Sequence, residues 1–582
     1  MGNPITAFGL LKNYRKKNWS GDISAGFATG VLLIPQGMAY AVIAGLPVEY
    51  GLYAALMAPI AYFLFGTTNK LVIGPAALDS MLLASGVASL GLALTTEQYV
   101  THVLVIVFFA GLLQILAGIF KFGFIANFFS QPLLKGFTSA AAILIAFSQF
   151  GGLIGLKIEE KSFFHQEVIQ YVNQLHEVHW PTLFLGFGTL GIIVLSKKFK
   201  LNKLTTPLMV SIGILLSIHF GFEEMGIKVI GDIPKGLPHF SVPDFTSVNL
   251  IQVMPISLVV AIIGFTVSNS IIKSVEEDNK SLNINREFTA LGLANTLGVF
   301  FGGYQASSSF SRSAINKEAG AKTRMSNLVS CLMIAVVLLF FTPVFYYLPK
   351  AILAAIIIAA TPSLFSFTYF KELYSLRKRE FFVGIFTFLM TLEFGVIIGL
   401  ISGVTVSMFV FLYQTLKPHV AILGKIGDTR VYRNILRFED AKEQDQIVII
   451  RIDAPLYFSN IRFVIDEMQQ ALDERSNIKS LVIKSESINS IDITALNELK
   501  YFIEDLNKKG IHIYFCSVVG PVRDLLYKVD IVSKLGGEQL FLYLNDVVDY
   551  IQNNKEFSER KVSIANQADL VKSEEGIVKS DI

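Results

Sequence analysis

Gln305-Ala306-Ser307-Ser308-Ser309-Phe310-Ser311-Arg312-Ser313 is a hydroxyl-rich run that carries one arginine. Apolar segments flank it, residues 290–301 before and 328–346 after. Such flanks place the run at or near bilayer depth. A permanent cation there costs roughly 3 kcal/mol on insertion scales, so Arg312 is expected to face a cavity or a partner. The serines also read as a helix start, because serine oxygens cap orphan amides. A helix N-terminus carries about half a positive charge. Arg312 added to that end makes a candidate anion site. The alternative is a structural arginine that snorkels or pairs with a helix end.

Working outward, the chain of 582 residues is 52% hydrophobic and only 16% charged. Soluble domains run near 25% charged, so most of this chain is expected in a lipid bilayer. The net charge of +3 gives no field that would attract nucleic acid. Cys331 and Cys516 fall in apolar segments and read as buried free thiols, without a disulfide frame. There is no phosphate-binding Walker loop and no GxSxG, and the histidines show no metal spacing. An enzyme is therefore not expected, and neither is a cofactor. The basic start at residues 12–17 leads into a long apolar stretch with no cleavage site of small residues, so no signal peptide is read.

Between residues 23 and 416 about fourteen apolar spans alternate with short polar loops. With the N-terminus inside, Lys197, Lys198, Lys317, Lys322, Arg324, Arg377 and Lys378 all fall in inside loops, as the positive-inside rule asks. After Lys417 the pattern becomes strands alternating with helices, which implies a cytoplasmic α/β domain with mostly parallel pairing. The expected organisation is a cytoplasmic lead (1–20), a transmembrane domain (21–416), a linker (417–445), the α/β domain (446–553) and a polar tail (554–582).

Two further membrane stretches carry chemistry. Pro35 in the first span is expected to break or kink its helix. Gln36 and Tyr40 are four residues apart and share a face, offering an amide donor and an aromatic wall; for Gln36 the alternative is interhelical hydrogen bonding. The third span opens Val72-Ile73-Gly74-Pro75-Ala76-Ala77-Leu78-Asp79-Ser80, an extended segment and then a helix that starts inside the membrane, with Pro75 at or near its first turn. The third and tenth spans are thus both interrupted, at matching places in two halves of seven. That is the sign of an inverted repeat whose half-helix N-termini face each other at the midplane. Asp79, early in its half-helix, suits the dipole. It reads as a coupling site for a proton or another cation, or as a cap or partner of Arg312. In the α/β domain, Asn489-Ser490-Ile491-Asp492-Ile493-Thr494 joins a strand to a helix. It reads as a cap or as a regulatory contact.

The run Ile34-Pro35-Gln36-Gly37-Met38-Ala39-Tyr40, with Gly45-Leu46-Pro47, Tyr50-Gly51-Leu52-Tyr53, Phe65-Gly66-Thr67, Gly74-Pro75 and Ser311-Arg312-Ser313, resembles the sulfate permease (SulP) family of anion transporters. Ala319-Gly320-Ala321-Lys322-Thr323-Arg324 adds to that likeness, and the C-terminal unit resembles a STAS domain. The resemblance implies a seven-plus-seven inverted repeat of core and gate domains, elevator-like movement and a homodimer in the inner or plasma membrane. It places Gln36, Tyr40, Ala76, Ser311 and Arg312 at the anion; with the anion between the N-termini of the third and tenth spans, the amides of Ala76, Ala77 and Ser311 are expected to coordinate it. Two departures stand out. In Gly264-Phe265-Thr266-Val267-Ser268, Val267 stands where many bacterial members carry glutamate, which weakens proton coupling through that position. In the STAS loop, Ile493 and Thr494 stand where antagonist proteins have a serine pair, leaving Thr494 as the regulatory candidate. The expected function is secondary transport of a small inorganic anion, sulfate first, with bicarbonate or chloride exchange or uncoupled movement as alternatives. A nucleobase transporter, an anion-gated motor or channel, and a sensor signalling through a STAS partner are the rival readings.

Overall fold

The computed structural model describes residues 14, 18–124, 129–156, 163–199, 202–275, 283–529, 531 and 540–553. Most of the lead at 1–20 and the tail at 554–582 lie outside the described residues. The chain divides into two compact units, residues 1–408 and 409–582.

The first unit is helical. Its first half runs α1 (Trp19–Ile43), α2 (Val48–Phe65), strand β1 (Ile73–Gly74), α3 (Ala77–Ala88), α4 (Thr96–Ile119), α5 (Gln131–Ile154), α6 (Phe164–Gln174), α7 (Trp180–Lys198) and α8 (Asn202–Phe220). Its second half runs α9 (Leu250–Val275), α10 (Ile284–Val299), strand β2 (Ser307–Ser308), α11 (Phe310–Glu318), α12 (Met325–Val336), α13 (Thr342–Phe345), α14 (Lys350–Ala360), α15 (Phe367–Leu376), α16 (Lys378–Phe394) and α17 (Val396–Leu416). Every expected span coincides with one or two of these helices. Among the described residues, nine helical stretches are long and apolar enough to cross a membrane, two of them joining helices end to end, Met325–Phe345 (α12 to α13) and Lys350–Leu376 (α14 to α15). Among the rest, α3, α10 and α11 are too short, with 12, 16 and 9 residues.

α1 continues as a helix through Pro35, so the span is not broken there. Packing on both sides of that point holds it: Leu33, Ile34, Met38 and Ala39 are all buried. Close backbone approach is built from glycine pairs. A methyl group on Gly51 of α2 would lie 2.0 Å from the carbonyl oxygen of Gly37 on α1. On α10, one on Gly292 would lie 2.5 Å from the carbonyl oxygen of Gly111 on α4. Small residues at such crossings replace the hydrophobic driving force that lipid does not supply. An apolar cluster of Tyr62, Leu71, Ile73, Phe265, Leu291 and Ala306 supports β1 and β2 from behind.

The second unit is an α/β sandwich around one sheet. Its strands are β3 (Val420–Ile426), β4 (Tyr432–Asn434), β5 (Ala441–Lys442), β6 (Ile447–Ile452), β7 (Ser480–Lys484), β8 (His512–Cys516) and β9 (Leu540–Phe541). The order is β4-β3-β6-β7-β8-β9, with β5 also on β3. The run β6 to β9 is parallel, as expected. The segment 417–445, expected as a linker, instead supplies β3, β4 and β5, and β3 pairs antiparallel with β6 through Val420↔Ile452. Strand alternation explains the two covered faces. Val448, Ile450 and Ile452 point to α18 (Ile461–Asp473), α19 (Ile493–Lys508) and α20 (Gly520–Lys528). Ile447 and Ile449 point to α21 (Leu544–Asn553).

Candidate functional site

The site is built where the two interrupted spans meet. β1 and β2 pair antiparallel, with Ile73 opposite Ser308 and Gly74 opposite Ser307. Soon after each strand a half-helix begins, α3 after Pro75 and Ala76, and α11 after Ser309. Antiparallel pairing of the strands brings these two N-termini to one place. Pro75 lies just before the N-cap rather than in the first turn. Ala76 has no side chain with which to cap. Ser309 could cap and does not: its hydroxyl lies 3.3 Å from that of Ser311, so the serines start the helix without capping it. Both sets of first-turn amides are thus without a side-chain cap, the arrangement that suits an anion. Ala76 and Ala77 are half-buried and Ser311 is exposed.

Arg312 lies beneath, fully buried. It does not snorkel. Its Nη1 donates to the carbonyl oxygen of Pro75 at 2.7 Å and to Oε1 of Gln36 at 3.4 Å. The side chain therefore crosses from α11 to the backbone that leads into α3, and ties both half-helices to α1. Its Nε and Nη2 have no partner. A guanidinium carries five N–H donors in a planar fork, so donors remain for a ligand. Gln36 and Tyr40 are half-buried on the same face of α1, and Tyr40 is close enough to Arg312 to act on its charge. The structure thus joins Gln36 and Tyr40 to Arg312, and the strand pairing brings the starts of α3, with Ala76 and Ala77, and of α11, with Ser311, to the same end of the crossing.

Asp79 sits at the third position of α3, 2% exposed. It accepts a hydrogen bond from the hydroxyl of Ser307 on β2 and caps no helix. Around it lies a buried polar layer that the sequence did not single out. Ser80 and Tyr304 hydroxyls are 3.0 Å apart. Asn295 donates to Gln114 at 3.1 Å and accepts from the amide of Ala306 at 2.8 Å. Ser268 on α9 accepts from the amide of Ser308 at 3.2 Å.

A second buried charged cluster was also missed. Glu287 at the start of α10 accepts from Tyr62 at 2.9 Å and from the amide of Thr67 at 2.9 Å. Arg324, counted above with the inside-loop charges, is 2% exposed and donates to the carbonyl oxygen of Gly66. An acid and an arginine at the edges of apolar spans were the available signals. In the second unit, Asp492 caps α19 through the amide of Ala495 at 2.8 Å and also accepts from the amide of Phe458 at 2.7 Å. Thr494 is exposed in the first turn of that helix.

The Sulfate permease family matches residues 19–387, and the STAS domain matches residues 440–546. The chain belongs to the sulfate permease family. It is 32% identical over 576 residues to Sulfate transporter 4.1, chloroplastic, of Arabidopsis thaliana, covering 94% of this chain and 84% of that one. It is 30% identical to High affinity sulfate transporter 2 of Stylosanthes hamata, covering 94% and 85%. Like its relatives, this sulfate permease homologue is a multi-pass membrane transporter and not an enzyme. Its fold is similar to that of the murine Solute Carrier 26 family member A9 anion transporter in the inward-facing state, with a TM-score of 0.85 at 21% identity over 94% of each chain. It is also similar to the transmembrane domain of a cyanobacterium bicarbonate transporter, BicA, with a TM-score of 0.58 at 21% identity over 68% of this chain and 98% of that one.

Proposed function

We propose that the protein is a secondary transporter of small inorganic anions, with sulfate as its first substrate. The observation that carries this reading is the pairing of two uncapped half-helix N-termini over a buried arginine with donors to spare. The anion would sit between α3 and α11. Amides of Ala76, Ala77 and Ser311 coordinate it, Arg312 supplies charge, Gln36 adds a hydrogen bond and Tyr40 forms a wall. The names of the curated relatives support sulfate. The halves α1–α8 and α9–α17 act as inverted repeats. Within them α1–α4 and α9–α12 form the core that carries the site, and it moves against the remaining helices in an elevator step. Asp79 is the coupling residue for a proton or sodium. The protein works as a homodimer in the inner or plasma membrane with both termini cytoplasmic. The STAS domain meets a protein partner, with Thr494 as its regulatory position.

Bicarbonate or chloride exchange is the second reading, favoured by Val267, which stands on α9 where many bacterial members carry an acid. Binding of labelled sulfate to purified protein, with bicarbonate, chloride and uracil as competitors, tests the proposal. Displacement by uracil alone would sink it.

A further inference from the structure

α9 meets the half-helix crossing at Gly264. A methyl group built there would lie 2.9 Å from Nε2 of Gln305, 3.4 Å from Oδ1 of Asp79 and 3.8 Å from Nε2 of Gln114. Side chains from three other parts of the fold thus converge on a position of α9 that has no side chain. All three are buried, with exposures of 2% for Asp79, 0% for Gln305 and 1% for Gln114. Gln114 is committed, donating to the carbonyl oxygen of Ala261 at 3.0 Å and accepting from Asn295. Asp79 Oδ1 and both amide atoms of Gln305 have no partner. Buried polar atoms nearly always have one, so orphans on adjoining side chains ask for an explanation.

Their chemistry supplies one. An ionised carboxylate only accepts; a protonated one also donates. A glutamine amide offers a donor and an acceptor on one rotor. Gln305 can therefore answer Asp79 in either state, with its NH₂ toward the carboxylate or its oxygen toward the acid. We infer that Asp79 and Gln305 form a proton-binding site beside Gly264 of α9. A hard metal cation would ask for several oxygen ligands, whereas Gln114, fixed by its bonds to Ala261 and Asn295, turns its amide nitrogen to this point.

Arg312 and Tyr304 act electrostatically on Asp79, and Tyr40 acts on both of them. The elements α4 and α9 face it with Gln114 and Gly264. Ionised Asp79 draws on the charge of Arg312 and repels an anion. A proton on Oδ1 removes both effects, so the proton and the anion bind together and leave together. This inference rests on the transporter reading for its use, but not for its detection.

Two measurements test it. The first is infrared difference spectroscopy between acidic and alkaline buffer on the purified protein, without substrate. It should show a buried carboxylic acid band that is lost in Asp79→Asn and displaced in Gln305→Leu. Absence of that band, or its survival in Asp79→Asn, would overturn the site whatever the protein carries. The second is anion uptake into proteoliposomes. One coupled proton raises accumulation up to about tenfold per pH unit of inward gradient. Asp79→Asn should make the remaining uptake indifferent to the gradient. Stimulation by a sodium gradient alone would also overturn the proton assignment. Failure to move or bind any anion would sink the proposed function and leave the infrared result to stand.

Discussion

At the scale of single residues, Arg312 shows how burial and use are reconciled. A guanidinium fully out of water is tolerable only when its donors are met. Here Pro75 and Gln36 meet one nitrogen, and two nitrogens are left over. A charge-assisted hydrogen bond is worth about 1.5–3 kcal/mol. Arg312→Ala should therefore weaken sulfate binding by roughly ten- to hundredfold, as read by equilibrium binding. Arg312→Lys should recover only part of the loss, since an ammonium cannot span the same fork. Outside the membrane, Arg475 hydrogen-bonds Glu443 and holds its carboxyl below the usual range. A depressed folded value means that stability is present above the unfolded pKa, about 4.3 for glutamate. It is lost as pH falls through the lower folded value. Acid unfolding of the STAS domain, followed by its melting temperature, should become flatter across that window in Glu443→Gln. Arg312 and Asp79 were legible because a charge among apolar spans is conspicuous. Gln305 lay in the same run and was not, because its meaning depends on Gly264, over forty positions earlier, having no side chain.

At the scale of elements, the two-residue pairing of β1 with β2 sets the separation of the half-helix ends. The interruption of each span was readable from Gly74-Pro75 and from the serine run, since both break an apolar pattern. That the two segments pair strand to strand was not, because no local signal links residues 73–74 to 307–308. The same holds for the bond from Arg324 to Gly66, which turned an apparent loop charge into a buried contact. β3 was missed for another reason: its apolar run is short and is followed by a charged stretch that reads as linker. Close crossings make a sharp prediction. Gly51→Ala places a methyl group 2.0 Å from the carbonyl oxygen of Gly37. Overpacking of this kind costs about 1–3 kcal/mol, and thermal unfolding in detergent should show a lower midpoint. In the second unit Asp492→Ala removes the cap of α19, which is worth about 1 kcal/mol. Its midpoint should fall as well, with the parallel sheet retained in circular dichroism.

At the scale of the molecule, the chain has two compact units, a helical one that contains the paired strands β1 and β2 and an α/β one that matches the STAS domain. Topology can be read directly, because Cys331 and Cys516 are both buried and should stay silent to thiol reagents. Glu224 and Glu439 are exposed. A cysteine at 224 should be labelled by an impermeant maleimide from outside intact cells, and one at 439 only after permeabilisation. The reverse pattern would invert the assigned orientation. The anion site is tested most directly by sulfate uptake with purified protein in proteoliposomes, wild type beside Arg312→Ala. Saturable uptake by the wild type, reduced at least about tenfold at subsaturating sulfate in the variant, is the predicted result. Equal uptake by the two proteins would contradict the anion site at the crossing of α3 and α11.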